Sequence, residues 1–403
     1  MSTIPLASSI REVPPSRIRE LANLAFKMEG VLKLYFGESN LPTPQYIKDA
    51  AVQALVDGYT FYTHNAGLPS LRLAVADKYD ELHQVSLNPQ EEIVITASGV
   101  QALNVAIRCV LDPGDEALVL TPAWPNSSAI VWMCSGTPRE VPLVLRDRRY
   151  EVDFKALTHW LSRRTRLLVY TSPSNPLGWV ASSEEQRALL DFCREHQLWL
   201  LADEVYERLY YEGVVAPSIL RLCQRDDAVI VAHSFSKSYC MTGWRLGWLV
   251  ARQDLARKAT EMNEFIVSHA PSMLQRAGEV ALREGEREVR KMVSQLRENL
   301  TFCQAALTAM PGVILPEPEG AFYLFPKIEG LMDSFEFCKQ LLLEKRVGLA
   351  PGVAFGAGGE GSVRICYAAD RSVLEPAMER LGEFLRGREL QTRDREWGTG
   401  NKG

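Results

Sequence analysis

No apolar run in the 403 residues approaches the roughly 18 needed to cross a bilayer, and the N-terminal MSTIPLASSIREVPPSRIRE lacks a basic region followed by an apolar stretch. A spanning helix and a secretory leader are not expected, and the chain reads as cytoplasmic with no membrane partner. No basic block stands out: Lys and Arg total 45 against 50 Asp and Glu, a formal net charge of -5, so the charge footprint of a nucleic-acid binder is missing. The cysteines, at 109, 134, 193, 223, 240, 303, 338 and 366, form no CxxC pair and sit near no spaced histidines. That argues against a disulfide framework or a metal site and for reduced core thiols. Internal repeats and low-complexity segments are also lacking.

What remains is an ordinary folded composition, 46% apolar and 24% charged, long enough for two domains. From about 91 to 251, short runs rich in Val, Ile and Leu alternate with amphipathic stretches, the α/β signal for a mainly parallel sheet covered on both faces. The expected strands are EEIVIT (91–96), EALVL (116–120), RLLVY (166–170), LWLLA (198–202), AVIVA (228–232) and RLGWLVA (245–251). Val289, Met292, Val293, Leu296, Leu300, Cys303 and Leu307 fall on one face of a long helix, and GAFYLFP and GSVRICYA read as strands of a smaller domain. The expected division is an N-terminal arm over 1–45 that joins the small domain, a large domain over 46–284, a small α+β domain over 285–386 and a frayed tail over 387–403.

In open α/β sheets ligands bind beyond the carboxyl ends of the strands, and the polar residues here fall there. Strand 91–96 leads to Ser98, Gly99 and Val100, strand 116–120 to Trp124, and strand 166–170 to Asn175. Strand 198–202 is followed by Asp203 and Tyr206, and strand 228–232 by Ser234, Ser236 and Lys237, with Arg245 close behind. Each alone has a plain structural reading: a turn for Asn175-Pro176, a helix cap for Asp203, core for Tyr206, and neither SGVQ nor GAGGEG is a Walker loop. Their shared placement points to one ligand. Amides at a helix start with Ser234, Ser236 and Arg245 suit a phosphate, Trp124 an aromatic ring, and Asp203 a pyridine nitrogen that must stay protonated. Tyr206 and Asn175 suit a ring hydroxylate, and Lys237 an aldehyde; the ligand expected from this set is pyridoxal phosphate.

At these residues the sequence resembles the class I/II aminotransferases, the aspartate aminotransferase-like enzymes of fold type I, over about 31–385. The matching segments include LYFGESNLPTP (34–44), FYTHNAGLPSLRLAVADKY (61–79), TASGVQAL (96–103), YTSPSNPLG (170–178), LADEVYE (201–207), SFSKSYCMTGWRLGW (234–248) and GSVRICYA (361–368). The resemblance implies a mainly parallel seven-stranded sheet in the large domain, with Lys237 bound to the cofactor aldehyde, Asp203 at the ring nitrogen, and Tyr206 and Asn175 at the ring oxygen. It implies a phosphate site of Ser98, Gly99, Val100, Ser234, Ser236 and Arg245. It further implies a homodimer in which Tyr62 reaches the partner's phosphate site, and a substrate α-carboxylate held by Arg364 with Gly37 and Asn175. In SVRICYA, alternation places Arg364 beside Cys366 and Ala368, odd company for a solvated charge.

The activity implied is ping-pong transfer of an amino group from an L-amino acid to a 2-oxo acid, with Lys237 moving the Cα proton. Val100 stands where some aspartate-using relatives carry a lysine, which favours neutral, aliphatic or aromatic donors with 2-oxoglutarate or pyruvate as acceptor. YYEGVVAPS (210–218) also lacks a histidine often found there. Within the same fold the alternative is a carbon–sulfur lyase or other pyridoxal-phosphate chemistry at Cα. A transcriptional regulator built on this fold would need an added DNA-binding domain, for which no helix-turn-helix pattern is present. His64 and His233, flanking the site, read as structural histidines, and Phe322 and Tyr323 as core or hinge packing.

Overall fold

The computed structural model describes residues 4–399. After Pro14 and Pro15, which cannot continue a helix, Ser16 caps α1 (Arg17–Ala25) by accepting from the Arg19 amide at 3.2 Å. The extended Leu32–Lys33 then pairs in parallel with Val347–Gly348, which ties the arm to the C-terminal part of the chain.

Seven strands form the main sheet: β1 (Ile93–Thr96), β2 (Glu116–Thr121), β3 (Thr137–Pro142), β4 (Thr165–Thr171), β5 (Trp199–Asp203), β6 (Val229–Ser234) and β7 (Gly247–Ala251). Their spatial order is β1-β7-β6-β5-β4-β2-β3; β7 is antiparallel to both neighbours and the other pairs are parallel. The apolar runs split with period two. Ile95, Leu118, Leu200, Val231 and Trp248 enter one buried cluster, while Val94, Val119, Leu201, Ile230 and Leu249 enter another on the opposite face. Helices on both faces complete the layers, among them α2 (Gly99–Val110), which starts directly after β1.

Six of these strands lie where the apolar runs placed them. The seventh, β3, was not among them: it is an edge strand that starts beside Pro138, carries Arg139 and Glu140 and ends on Pro142. An edge tolerates proline and charge that a central strand would not.

A third cluster belongs to α3 (Glu286–Thr308), which buries Val289, Met292, Leu296, Leu300, Cys303 and Leu307 on one face. It packs with α4 (Arg371–Thr399) and a small antiparallel sheet of β8 (Tyr323–Leu324), β10 (Val363–Cys366) and β9 (Ala350–Pro351), with β10 in the centre. Of the stretch read as a frayed tail, 387–399 fall within α4, and residues 400–403 lie outside those described.

Candidate active site

Three strand ends build an anion cradle. Beyond β1, Ser98 has φ 124° and its hydroxyl accepts from the Gln101 amide at 3.1 Å, capping α2. Gly99 follows against the end of β6, where a Cβ would stand 3.0 Å from Ser234 Cβ and 3.3 Å from the His233 carbonyl. Gly247 of β7 is tighter still, with its Cβ position 2.6 Å from the Gly99 nitrogen, so glycine here lets the backbones close on one point. Ser234 Oγ donates to Ser236 Oγ at 2.9 Å, and exposed Arg245 is steadied by the Thr242 carbonyl at 2.6 Å. Gly99, Ser234, Ser236 and Arg245 all line one cavity of about 810 Å³. Helix-start amides, hydroxyls and a guanidinium together fit a phosphate.

Asp203 closes β5 inside the same cavity, 6% exposed. Burial pushes its carboxyl up to about 6, against the Val205 amide and Lys237, which favour the charged form. Lys237 faces it from the loop after β6. Burial brings the amine down to about 8, the nearby Arg364 charge adding to the effect, and its Nζ donates to the Gly37 carbonyl. A buried acid and a partly neutral amine in one cavity are the pair that a cationic ring nitrogen and an aldehyde need. Tyr206, 3% exposed, Asn175 and Trp124 also line this space.

Arg364 lies on β10 of the small sheet and is 2% exposed. Its Nη1 donates to Asn175 Oδ1 at 3.0 Å and its Nη2 to the Tyr35 carbonyl, but its Nε is buried without a hydrogen-bond partner. Among the described residues it forms no ion pair. A buried guanidinium with no carboxylate beside it and an orphaned N–H is unfavourable unless an anion completes it. Its Cζ stands 4.7 Å over the Tyr323 ring and 5.0 Å over Phe355.

Of the residues singled out in the sequence, Gly37, Gly99, Val100, Trp124, Asn175, Asp203, Tyr206, Ser234, Ser236, Lys237, Arg245 and Arg364 line the cavity. Ser98 does not line it, its hydroxyl being used as the α2 cap. Tyr62 stands outside it, 89% exposed. His233 is a packed residue, stacked on Trp248 at 4.1 Å, and His64 accepts from the Ala66 amide in an exposed loop. Tyr323 differs from its reading as packing: its hydroxyl is 2.7 Å from Tyr206 Oη and it lines the cavity. Tyr35, Glu140 and the first turn of α1, including Arg17 and Arg19, also line it and carried no recognisable signal. Tyr35 acts through a backbone carbonyl, and the arm's approach is a tertiary event.

A doubly wound sheet with its reactive groups at the strand ends, and a small domain supplying a guanidinium, defines a fold type I pyridoxal-phosphate transferase. The model of the family described as aminotransferase class I and II matches residues 29–381, and the chain belongs to that family. Its members use pyridoxal phosphate, and the chain is an amino-group-transferring enzyme, so the lyase alternative is not favoured. It is 35% identical over 385 residues to an aspartate aminotransferase of Pyrococcus horikoshii, covering 95% of this chain and 97% of that protein. It is 34% identical over 391 residues to aromatic-amino-acid aminotransferase 2 of Thermococcus litoralis, covering 96% and 99%. The solved aromatic aminotransferase of Pyrococcus horikoshii superposes with a TM-score of 0.86 at 33% identity, covering 93% of this chain and 100% of that one. Among the described residues no helix is long and apolar enough to cross a membrane.

Proposed function

We propose that this aminotransferase takes neutral, aliphatic or aromatic L-amino acids as donors and a 2-oxo acid such as 2-oxoglutarate or pyruvate as acceptor. In this reading Lys237, Asp203 and Tyr206 are the catalytic groups and Arg364, Asn175 and Gly37 hold the substrate. The observation that carries it is Arg364, a buried cation lacking an anion, in the cavity that also holds Lys237. An α-carboxylate common to all amino acids supplies what the orphaned Nε lacks. Trp124, Phe36, Ile18 and Val353 on the wall, with Val100 in place of a cation, support an uncharged donor side chain. Exposed Arg19 at the rim, with no ion pair among the described residues, supports a dicarboxylic acceptor.

Bound pyridoxal phosphate supplies an aldehyde that captures amines and a ring that accepts the electron pair released at Cα. The chain's own residues do the rest. Gly99, Val100, Ser234, Ser236 and Arg245 would fix the phosphate, with Tyr62 of the second copy; Trp124 would pack the ring, Asp203 would keep its nitrogen protonated, and Asn175 and Tyr206 would hold the ring oxygen. Arg364 orients the amino acid so that its Cα–H faces Lys237. Lys237 Nζ, its affinity for protons already lowered by burial, takes that proton at neutral pH.

The reading takes residues 46–284 as the cofactor domain and 285–386 as the small one, supported by one core cluster drawn entirely from the first range and another drawn mainly from the second. It takes the enzyme as a homodimer, supported by Val56, Phe61, Tyr62 and Phe265, which stand 75%, 80%, 89% and 89% exposed. A cytoplasmic setting is supported by the eight free cysteines. The test is reduction of the yellow holoenzyme with borohydride followed by peptide mapping, with a Lys237→Ala control and a screen of single amino acids. A cofactor fragment fixed at 237 and amino-group capture from uncharged donors are expected; robust turnover by Lys237→Ala would refute the assignment.

A further inference from the structure

Tyr206 and Tyr323 come from different parts of the chain, Tyr206 beyond β5 of the main sheet and Tyr323 on β8 of the small one, and meet hydroxyl to hydroxyl at 2.7 Å. Both are buried, at 3% and 0% exposure. Each phenol carries one proton, so a single proton lies between the two oxygens and the other is left over. Which oxygen keeps the spare proton decides what the cavity sees.

The surroundings settle the direction. Tyr323 Oη has no other hydrogen-bond partner among the described residues, and on its far side it fills the room a Gly37 side chain would take, a Cβ there falling within 2.2 Å of it. Its ring lies beneath the Arg364 guanidinium, whose charge makes the phenol a better donor. Both phenols line the cavity, but Tyr323 has no exposed surface, whereas Tyr206 keeps 3% and is the one placed at the ring oxygen in the reading above. If Tyr206 donated to Tyr323, its one proton would be spent there and a docked anionic oxygen would face a lone pair. With Tyr323 donating, every proton has an acceptor once the cavity is filled.

We propose that Tyr323 is a positioning residue for amino transfer: its hydroxyl donates to Tyr206 Oη and so commits the one Tyr206 proton to the ring oxygen of the cofactor. This rests on the reading that Tyr206 faces that oxygen. A phenol that accepts a hydrogen bond is a stronger acid and therefore a stronger donor, so Tyr323 tunes Tyr206 without touching the cofactor. The burial-raised pKa of Tyr206 is drawn back by this contact, in keeping with Tyr206 as the accepting partner. The small sheet that carries Arg364 also carries Tyr323, paired through Cys366 and Ile365, so seating the substrate carboxylate and ordering the Tyr206 proton depend on one piece of structure.

The readout is the pH at which the visible absorption of the bound cofactor changes, which reports how firmly the ring oxygen shares its proton. A donor competes for that oxygen, so losing one moves the midpoint up. Tyr206→Phe is expected to raise it, and Tyr323→Phe to raise it by less, roughly half to one pH unit, with cofactor still bound at full stoichiometry. Tyr323→Phe keeps the ring under Arg364, so kcat falls about three- to tenfold while KM for the amino donor stays within about twofold. Added to Tyr206→Phe, it produces no further shift, because there is no longer a proton to commit. A midpoint that moves in Tyr206→Phe but not in Tyr323→Phe, or additive shifts in the double variant, overturns the proposal and leaves the reading of Tyr206 standing. A midpoint that Tyr206→Phe leaves unmoved overturns both. A KM that rises in step with the loss of kcat overturns it too, placing Tyr323 at the carboxylate site instead.

Discussion

Arg364 Nη1 donates to Asn175 Oδ1 at 3.0 Å, a bond from the central strand of the small sheet to the loop beyond β4 of the large one. It holds the guanidinium across the cavity while Nε stays buried without a partner. Arg364→Gln removes the charge and the fork but leaves the phosphate cradle untouched. The expected result is a kcat/KM for amino donors lower by roughly 10- to 150-fold, carried mainly by KM, since hydrogen bonds to charged groups contribute about 1.5–3 kcal/mol. Steady-state kinetics beside an unchanged cofactor spectrum checks it. An unchanged KM would remove Arg364 from the substrate site.

The Lys237 amine, brought down to about 8 chiefly by burial, makes cofactor capture pH-dependent in a range where free lysine is inert. Only the neutral amine attacks an aldehyde, so its reactive fraction grows as pH rises through the lowered value. Cofactor-free enzyme mixed with pyridoxal phosphate in a stopped-flow instrument should show a capture rate that climbs and levels off with a midpoint near 8. A rate still climbing near pH 10 would mean that the amine is solvated in the free protein.

Much of the site could be read before folding because α/β topology sends every strand end to one crevice, so that Asp203, Ser234 and Lys237 needed only the right strands upstream. The strands were visible as apolar runs because both sheet faces are covered. β3 was invisible for the opposite reason: an edge need not be apolar, and its prolines argue against a strand in any central position. Tyr323 was hidden in GAFYLFP, where one more aromatic looks like core. Its partner lies 117 residues earlier, and only the tertiary fold makes the phenol oxygen meaningful. Ser98 lies at the end of β1 beside the cavity residue Gly99, but its hydroxyl is engaged in capping α2, a competition that local sequence does not decide.

Behind the site, Glu207 centres a buried charge network: Lys78 Nζ and His83 Nε2 bond it, the latter at 2.9 Å, and His233 Nε2 lies 3.2 Å away. Glu207 is 1% exposed and its carboxyl is held well below the usual range, the cost of burial being outweighed by Lys78 and His233. Glu207→Leu would take away the hydrogen-bonded partner of the Lys78 ammonium, leaving the faces of Tyr79 and Trp248 and the weaker influence of Glu204. Losing one partner of a buried pair costs about 3–5 kcal/mol, so the denaturation midpoint should fall sharply. A variant as stable as the parent would show that Lys78 is readily neutralised in place.

Glu204, one residue past Asp203, is the neighbour that titrates the other way. Burial pushes its carboxyl up to about 8; its Oε1 accepts from the Ile219 amide at 2.9 Å, and its Oε2 is buried without a partner. The folded pKa is therefore above the unfolded value of about 4.5, so the folded state keeps a proton that the unfolded chain releases. The sign follows: this group's contribution to stability is whole below about 4.5 and is lost as pH rises toward 8. Glu204→Gln keeps the shape and the acceptor oxygen but cannot ionise. Denaturant unfolding of cofactor-free protein at a series of pH values should show the parent losing stability between about pH 5 and 8, and the variant losing less over the same span. Parallel curves for the two proteins would mean that Glu204 is ionised in the fold and that water or a shifted side chain reaches Oε2.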